Sequence, residues 1–308
     1  MAFQLPQNVL LKIQEHGEQG RLWLQNLDKT VAQLAKQWHL QIAEILQGGS
    51  ESIVFAATQV NDTQVALKLG IPNMCDTAKE ANIYRLAAGK GYPRLLVEDK
   101  INNAILMEQL GLPLTIVQAS MENQLQIMCQ TLADAWIESD APQGFLSGAE
   151  KARSLAEYIQ EMWQTLNAPC SGASVEQALG YAAARENAYD PHKSLLVHGD
   201  VHGLNTLQCI DNPKQYKFID PDGIFAEPEL DLGVMMRDFS QHFLAGDTLR
   251  LAQECCQMLA SLTTTDANAI WQWSFLERMS TGLLLLKIGL TDEGKAMLSV
   301  ADCLSARA

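Results

Sequence analysis

Residues 195–231 read LLVHGDVHGLNTLQCIDNPKQYKFIDPDGIFAEPELD. Two short β-prone runs, 206–210 and 216–219, flank an Asp-Asn-Pro-Lys turn, which is the pattern of a hairpin. A hairpin of that length returns the chain, so Asp220 is expected to come back beside Asn205. Asp200 then sits on an exposed loop just before the hairpin, while an amide oxygen and a second carboxylate converge on one point. These are hard oxygen donors, suited to a Mg²⁺ ion that keeps some of its waters and binds phosphate as well.

Upstream, Leu24, Leu27, Val31, Leu34 and Trp38 recur at spacings of three and four, which predicts an amphipathic helix after the break at Gly17 and Gly20. Leu40–Leu46, bounded by turn signals, predicts a first strand. It runs into Gln47-Gly48-Gly49-Ser50-Glu51-Ser52 and then the β-rich Ile53-Val54-Phe55. The glycine pair is either an ordinary hairpin turn or a loop whose small residues let backbone amides approach nucleotide phosphates. In the next strand, 64–69, Val65, Leu67 and Leu69 take one face and leave Lys68 with Ala66 on the other. A lysine in an apolar strand is costly unless it meets an anion. The helix after Pro72 offers Glu80, either a solvated carboxylate or the partner that orients Lys68.

Two more strands are expected at 94–97 and 104–109, with an Asp-Lys-Ile-Asn turn between them, and Leu110-Gly111-Leu112-Pro113 ends the β pattern. Beyond it the periodicity is helical, at about 116–138, 148–166 and 175–189, except for the hairpin. The reading is therefore α+β, with a small β-rich lobe at 1–109, a hinge near 108–110, and a larger, mainly helical lobe at 110–308.

The chain of 308 residues carries 22 basic against 36 acidic side chains, a net charge of −14. A field of that sign argues against nucleic acid or an anionic membrane as partner. It serves either solubility or the capture of a cationic small molecule. Seven cysteines without Cys-x-x-Cys pairs point to reduced thiols, hence a cytoplasmic location. The N-terminus lacks the pattern of a secretory signal, and the apolar run at 282–286 ends at Lys287, far short of a membrane span.

The order of parts gives the chain a family. A base Asp, an Asn a few residues on, and a metal Asp after the next strand make up the catalytic loop of protein kinases. His198-Gly-Asp200-Val-His-Gly-Leu-Asn205, Phe218-Ile-Asp220-Pro-Asp-Gly, Ala226-Glu-Pro-Glu-Leu-Asp231-Leu-Gly and the late Glu277-Arg-Met-Ser-Thr-Gly-Leu resemble the aminoglycoside phosphotransferases, within them the branch of streptomycin 6-kinases and hydroxyurea-resistance kinases. With the glycine loop and Lys68, the likeness covers most of the chain. It implies a two-lobed protein-kinase-like fold and transfer of the γ-phosphate of ATP or GTP to a hydroxyl of a small molecule, streptomycin first. Hydroxyurea or an endogenous alcohol is an alternative acceptor, and a non-catalytic nucleotide-binding scaffold an alternative class.

By the same resemblance Gly48, Gly49, Ser50, Lys68 and Glu80 hold the nucleotide. Asp200 is the base or hydroxyl-orienting residue, and Asn205 and Asp220 hold Mg²⁺. His198 braces the loop, and Asp231 caps the next helix and bonds back to the catalytic loop. Glu227, Glu229, Asp238 and Glu277 are candidates to receive a cationic acceptor. The sequence departs from the family where Leu204 precedes Asn205 in place of a glycine, and where Pro-Asp-Gly follows Asp220, making Asp222 either a second ligand or a turn residue. Gly199-Asp-Val-His-Gly203 also resembles the first metal motif of calcineurin-like phosphoesterases. Those enzymes need a later Gly-Asn-His to complete a two-metal site, and none follows.

Overall fold

The computed structural model describes residues 5–46, 49, 51–117, 120–139 and 144–306. The chain divides into two compact units, residues 1–113 with 207–219, and residues 114–206 with 220–308. The first unit opens with helices α1 (Gln7–Glu15) and α2 (Gly17–Gln37), separated at Gly17, whose φ of +61° is a left-handed conformation natural to glycine. Strands β1 (Leu40–Leu46), β2 (Ser52–Gln59) and β3 (Gln64–Gly70) follow, then α3 (Thr77–Ala87), β4 (Leu95–Asp99), β5 (Ala104–Glu108) and the short β6 (Leu110–Pro113). Five of these strands make an antiparallel sheet in the order β1-β2-β3-β5-β4.

One face of that sheet gives Ile53, Phe55, Val65, Leu67, Leu69 and Leu106 to a core completed by Val9, Ile13, Leu27, Val31 and Leu34 of the two helices. Leu24 and Trp38, the outer members of the predicted stripe, pack at its edge. The alternation in β3 therefore sends Lys68 to the opposite face, where it meets Glu80 of α3.

The second unit begins with α4 (Met121–Ala135), which starts later than its periodicity predicts because Leu114–Val117 forms a separate 3₁₀ turn and the Ser120 side chain accepts from Asn123 N to begin the helix. Next come β7 (Leu146–Ser147), α5 (Gly148–Thr165), α6 (Gly172–Ala188) and β8 (Leu195–Val197). The hairpin β9 (Thr206–Cys209) and β10 (Tyr216–Phe218) pairs with β6 in a three-stranded sheet. Residues 207–219 thereby join the first unit, although the sequence reading gave everything after 109 to the second lobe.

The chain continues through β11 (Ile224–Ala226), α7 (Glu229–Met236), a 3₁₀ turn at Arg237–Phe239, α8 (Ser240–Leu244), α9 (Thr248–Thr263), α10 (Ala267–Lys287) and α11 (Thr291–Ser305). Strands β7, β11 and β8 form a small sheet, so the hairpin is not the only β structure after residue 113. Helix α10 is buried on nearly all sides from Ala269 to Leu283 and contacts α5, α6, α7, α9 and α11. Among the described residues no helix is long and apolar enough to cross a membrane, and all seven cysteines are free thiols.

Candidate active site

In the first unit Lys68 Nζ lies 2.6 Å from Glu80 Oε2, with both side chains buried. Tyr84 Oη donates to the other carboxylate oxygen at 2.6 Å. Burying a lysine and a glutamate is tolerable only because each desolvated charge has a partner. Asp76 starts α3 by accepting from Ala78 N and Lys79 N, which sets the helix so that Glu80 faces the sheet. Of the glycine loop, Gly49 is exposed; Gly48 and Ser50 lie outside the described residues.

In the second unit the loop after β8 is built around Asp231. Its carboxylate accepts from His198 N at 3.0 Å, Gly199 N at 2.7 Å and Trp136 Nε1 at 3.0 Å. Asp231 is fully buried in the first turn of α7; it is not the helix N-cap, a position held by Pro228. Burial raises its pKa, and the three hydrogen bonds with the nearby His198 only partly offset that. His198, also fully buried, turns Nδ1 to accept from Asp200 N at 3.1 Å. Gly199 has φ +87°, and a Cβ there would stand 2.9 Å from Asp222 Cβ, so only glycine lets this loop and the segment after Asp220 lie so close.

Asp200 comes out of this scaffold with a partly exposed carboxylate. Its Oδ1 accepts from Arg237 Nη2. Its Oδ2 faces His202 Nε2 at 3.3 Å and accepts from Asn205 Nδ2 at 3.3 Å. Leu204 N donates to His202 Nδ1, which leaves the proton of a neutral imidazole on Nε2, facing Asp200. Burial alone would raise the Asp200 pKa; the His202 bond and the Arg237 charge outweigh it and hold the carboxyl well below the usual range. A carboxylate has about four acceptor positions, so three donors leave one for an incoming hydroxyl.

Asn205 Nδ2 also donates to Asp200 O at 3.1 Å, which turns its amide oxygen away from Asp200. Cys209 N donates to Gln215 O across the hairpin, and counting back along that ladder puts Asn205 and Asp220 at its open end. Asp220 has φ +55°, a left-handed conformation unusual for a residue with a side chain. Among the described residues no three histidine, cysteine, aspartate or glutamate side chains cluster to hold a metal ion. An amide oxygen with one carboxylate suits a Mg²⁺ that brings phosphate oxygens and waters to complete its shell, rather than a cage made wholly of protein.

The four carboxylates expected to receive a cation are mostly committed elsewhere. Glu227 accepts from both Arg185 Nη1 and Trp273 Nε1. Glu229 accepts from Asp266 N, where a new helix starts. Glu277 is 2% exposed and lies between Lys151 Nζ at 3.2 Å and Arg237 Nη1 at 3.7 Å. Asp238, with a side chain 40% exposed, sits 3.6 Å from Arg237 Nε. Arg237 and Lys151 were not singled out by sequence, since a basic residue at a helix end is ordinarily a solvated one, and His202 entered only as part of the quoted motifs.

A family model described as aminoglycoside/hydroxyurea antibiotic resistance kinase matches residues 37–285. Streptomycin 6-kinase of Streptomyces griseus is 24% identical over 290 residues, 94% of this chain and 92% of that protein. Hydroxyurea phosphotransferase of Kitasatospora aureofaciens is 28% identical over 229 residues, 73% of this chain and 65% of that protein. An aminoglycoside phosphotransferase from Streptomyces rimosus, solved with ADP and streptomycin, shares the fold with a TM-score of 0.54 at 16% identity, over 83% of this chain and 98% of that one. The chain is a small-molecule kinase of two-lobed, protein-kinase-like fold, and it belongs to the aminoglycoside/hydroxyurea antibiotic resistance kinase family.

Proposed function

We propose that this kinase transfers the γ-phosphoryl group of ATP or GTP to a hydroxyl of streptomycin or a related aminoglycoside. The observation that carries the reading is the similarity to a streptomycin 6-kinase along 94% of the chain. Lys68, held by Glu80, binds the nucleotide phosphates together with the glycine-loop residues Gly48, Gly49 and Ser50. Asn205 and Asp220 hold Mg²⁺, which when bound neutralises charge on the phosphates. Asp200 uses its remaining acceptor position to orient the hydroxyl. The hydroxyl oxygen bonds to the γ-phosphorus as the bond to the bridging oxygen breaks, the electron pair leaves on the nucleoside diphosphate, and the hydroxyl proton passes to Asp200 and on to solvent. With its pKa so low, Asp200 acts first by orientation and accepts the proton late, as a loose phosphoryl-transfer transition state permits.

A second acceptor class has support of its own. Glu227, Glu229 and Glu277 already have partners inside the protein, which leaves fewer carboxylates for a polycation and favours a small neutral acceptor such as hydroxyurea. Assay of nucleoside diphosphate release against a panel containing streptomycin, other aminoglycosides and hydroxyurea decides between them. Streptomycin-dependent turnover with Mg²⁺ is the expected result, and turnover with hydroxyurea alone would replace it. Asp200→Asn should lower kcat by about 10²- to 10⁴-fold with nucleotide affinity nearly intact.

A further inference from the structure

The Glu277-Arg278 pair grips one turn of chain from two sides. Arg278, 2% exposed, donates from Nη2 to Met236 O at 2.5 Å, and from Nη1 to Arg237 O at 3.2 Å and Ser240 Oγ at 2.5 Å, with its guanidinium 5.3 Å from the Phe243 ring centre. Met236 O and Arg237 O lie where α7 gives way to a 3₁₀ turn, and Arg237 O also accepts from Ser240 Oγ at 3.1 Å. Burial pulls the Arg278 pKa down to about 10, so it remains charged at neutral pH. One residue earlier, Glu277 faces the side chain of Arg237 and is itself neutralised by Lys151 of α5. The backbone and the guanidinium of Arg237 are thus both fixed by α10. The close crossing that allows this depends on Gly233, where a Cβ would stand 2.6 Å from Trp273 Cβ and 2.7 Å from Ser274 N. The fixed guanidinium ends on Asp200 Oδ1.

We propose that Arg237 is a positioning residue for Asp200, and that the largely enclosed chain Lys151–Glu277–Arg237 aims the carboxylate so that its last acceptor position meets the acceptor hydroxyl. The inference rests on the assignment of Asp200 as the hydroxyl-orienting group. It also gives Glu277 a role inside the protein in place of the acceptor contact expected from sequence.

The test is a mutant cycle, read as transfer to the acceptor identified by the panel and as the slower hydrolysis of ATP without acceptor. Arg237→Ala should lower kcat about 10²-fold, the scale of a misplaced catalytic group, while the KM values for nucleotide and acceptor move less than about threefold. Guanidinium ion at non-denaturing concentration should restore part of that loss, which it would not do for a defect of folding. Glu277→Gln should cost about tenfold in kcat, and the double variant should be no worse than Arg237→Ala alone, because the two residues act in series. Arg237→Lys keeps a positive charge beside Glu277 and should fall between wild type and alanine, which supplies a measurement even where the alanine variant does not fold. Unchanged kcat in Arg237→Ala or Arg237→Lys, with Asp200→Asn inactive, would overturn the positioning role alone. Normal kcat in Asp200→Asn would remove the assignment beneath it. A Glu277→Gln variant whose effect lies in acceptor KM and adds to that of Arg237→Ala would return Glu277 to the acceptor site.

Discussion

The side chain that organises the catalytic loop is Asp231, which takes no part in the proposed chemistry. It satisfies two backbone amides of the loop and the Trp136 indole within a fully buried site, and an unsatisfied buried donor costs about 1–3 kcal/mol. Asp231→Ala should therefore lower stability by about 3 kcal/mol in urea unfolding and depress kcat as the loop loses its fixed shape. Asp231→Asn, which keeps one acceptor oxygen, should fall between. A fully stable, fully active Asp231→Ala protein would contradict this account. From local pattern alone Asp231 looks like a helix cap, because an Asp before an apolar helix usually is one; its long-range bonds to residues 198 and 199 leave no local pattern and are expected only from the family resemblance. Lys68 was easier to read. A charge in an apolar strand demands an anion, and Glu80 lay in the next helix. Arg237 gave no such signal, because beside Asp238 at a helix end it has the look of a solvated pair, and only the fold brings Asp200 and Glu277 to it.

Elements were legible where their periodicity had room to show itself. The stripe of α2 and the alternation of β3 were both clear, and the hairpin was found with its ends one residue too long. Strands β7, β8 and β11 were missed because two or three residues carry no period, and they exist through pairing with one another. The α7–α10 crossing at Gly233 is a close one, with a Cβ there 2.6 Å from Trp273 Cβ and 2.7 Å from Ser274 N. An added methyl there meets the backbone of α10 as well as the Trp273 side chain, so rotamer changes cannot relieve it. Gly233→Ala should destabilise by about 1–3 kcal/mol, the usual range for overpacking. It should also lower kcat, since α7 leads directly into the turn that carries Arg237. A variant of reduced stability but unaltered kcat would show that the crossing serves the fold alone.

At the scale of the whole molecule the open question is the use of a net charge of −14. The internal pairing of Glu227, Glu229 and Glu277 leaves Asp238 as the expected acceptor carboxylate with appreciable exposure. Exposed charges act through solvent, and the Debye length falls from about 30 Å at 0.01 M salt to about 8 Å at 0.15 M. If streptomycin is the acceptor and the field of the protein helps to capture it, its KM should rise a few-fold over that range at saturating nucleotide and Mg²⁺, with kcat changing less. Asp238→Asn should raise that KM at low salt and flatten its dependence, whereas Glu227→Gln and Glu229→Gln should act chiefly on stability, through the partners they already hold. Hydroxyurea carries no charge for the field to act on, so its KM should stay level across the same series. A streptomycin KM indifferent both to salt and to Asp238→Asn would mean that the acidity keeps the protein soluble and that the acceptor is recognised through neutral hydrogen bonds.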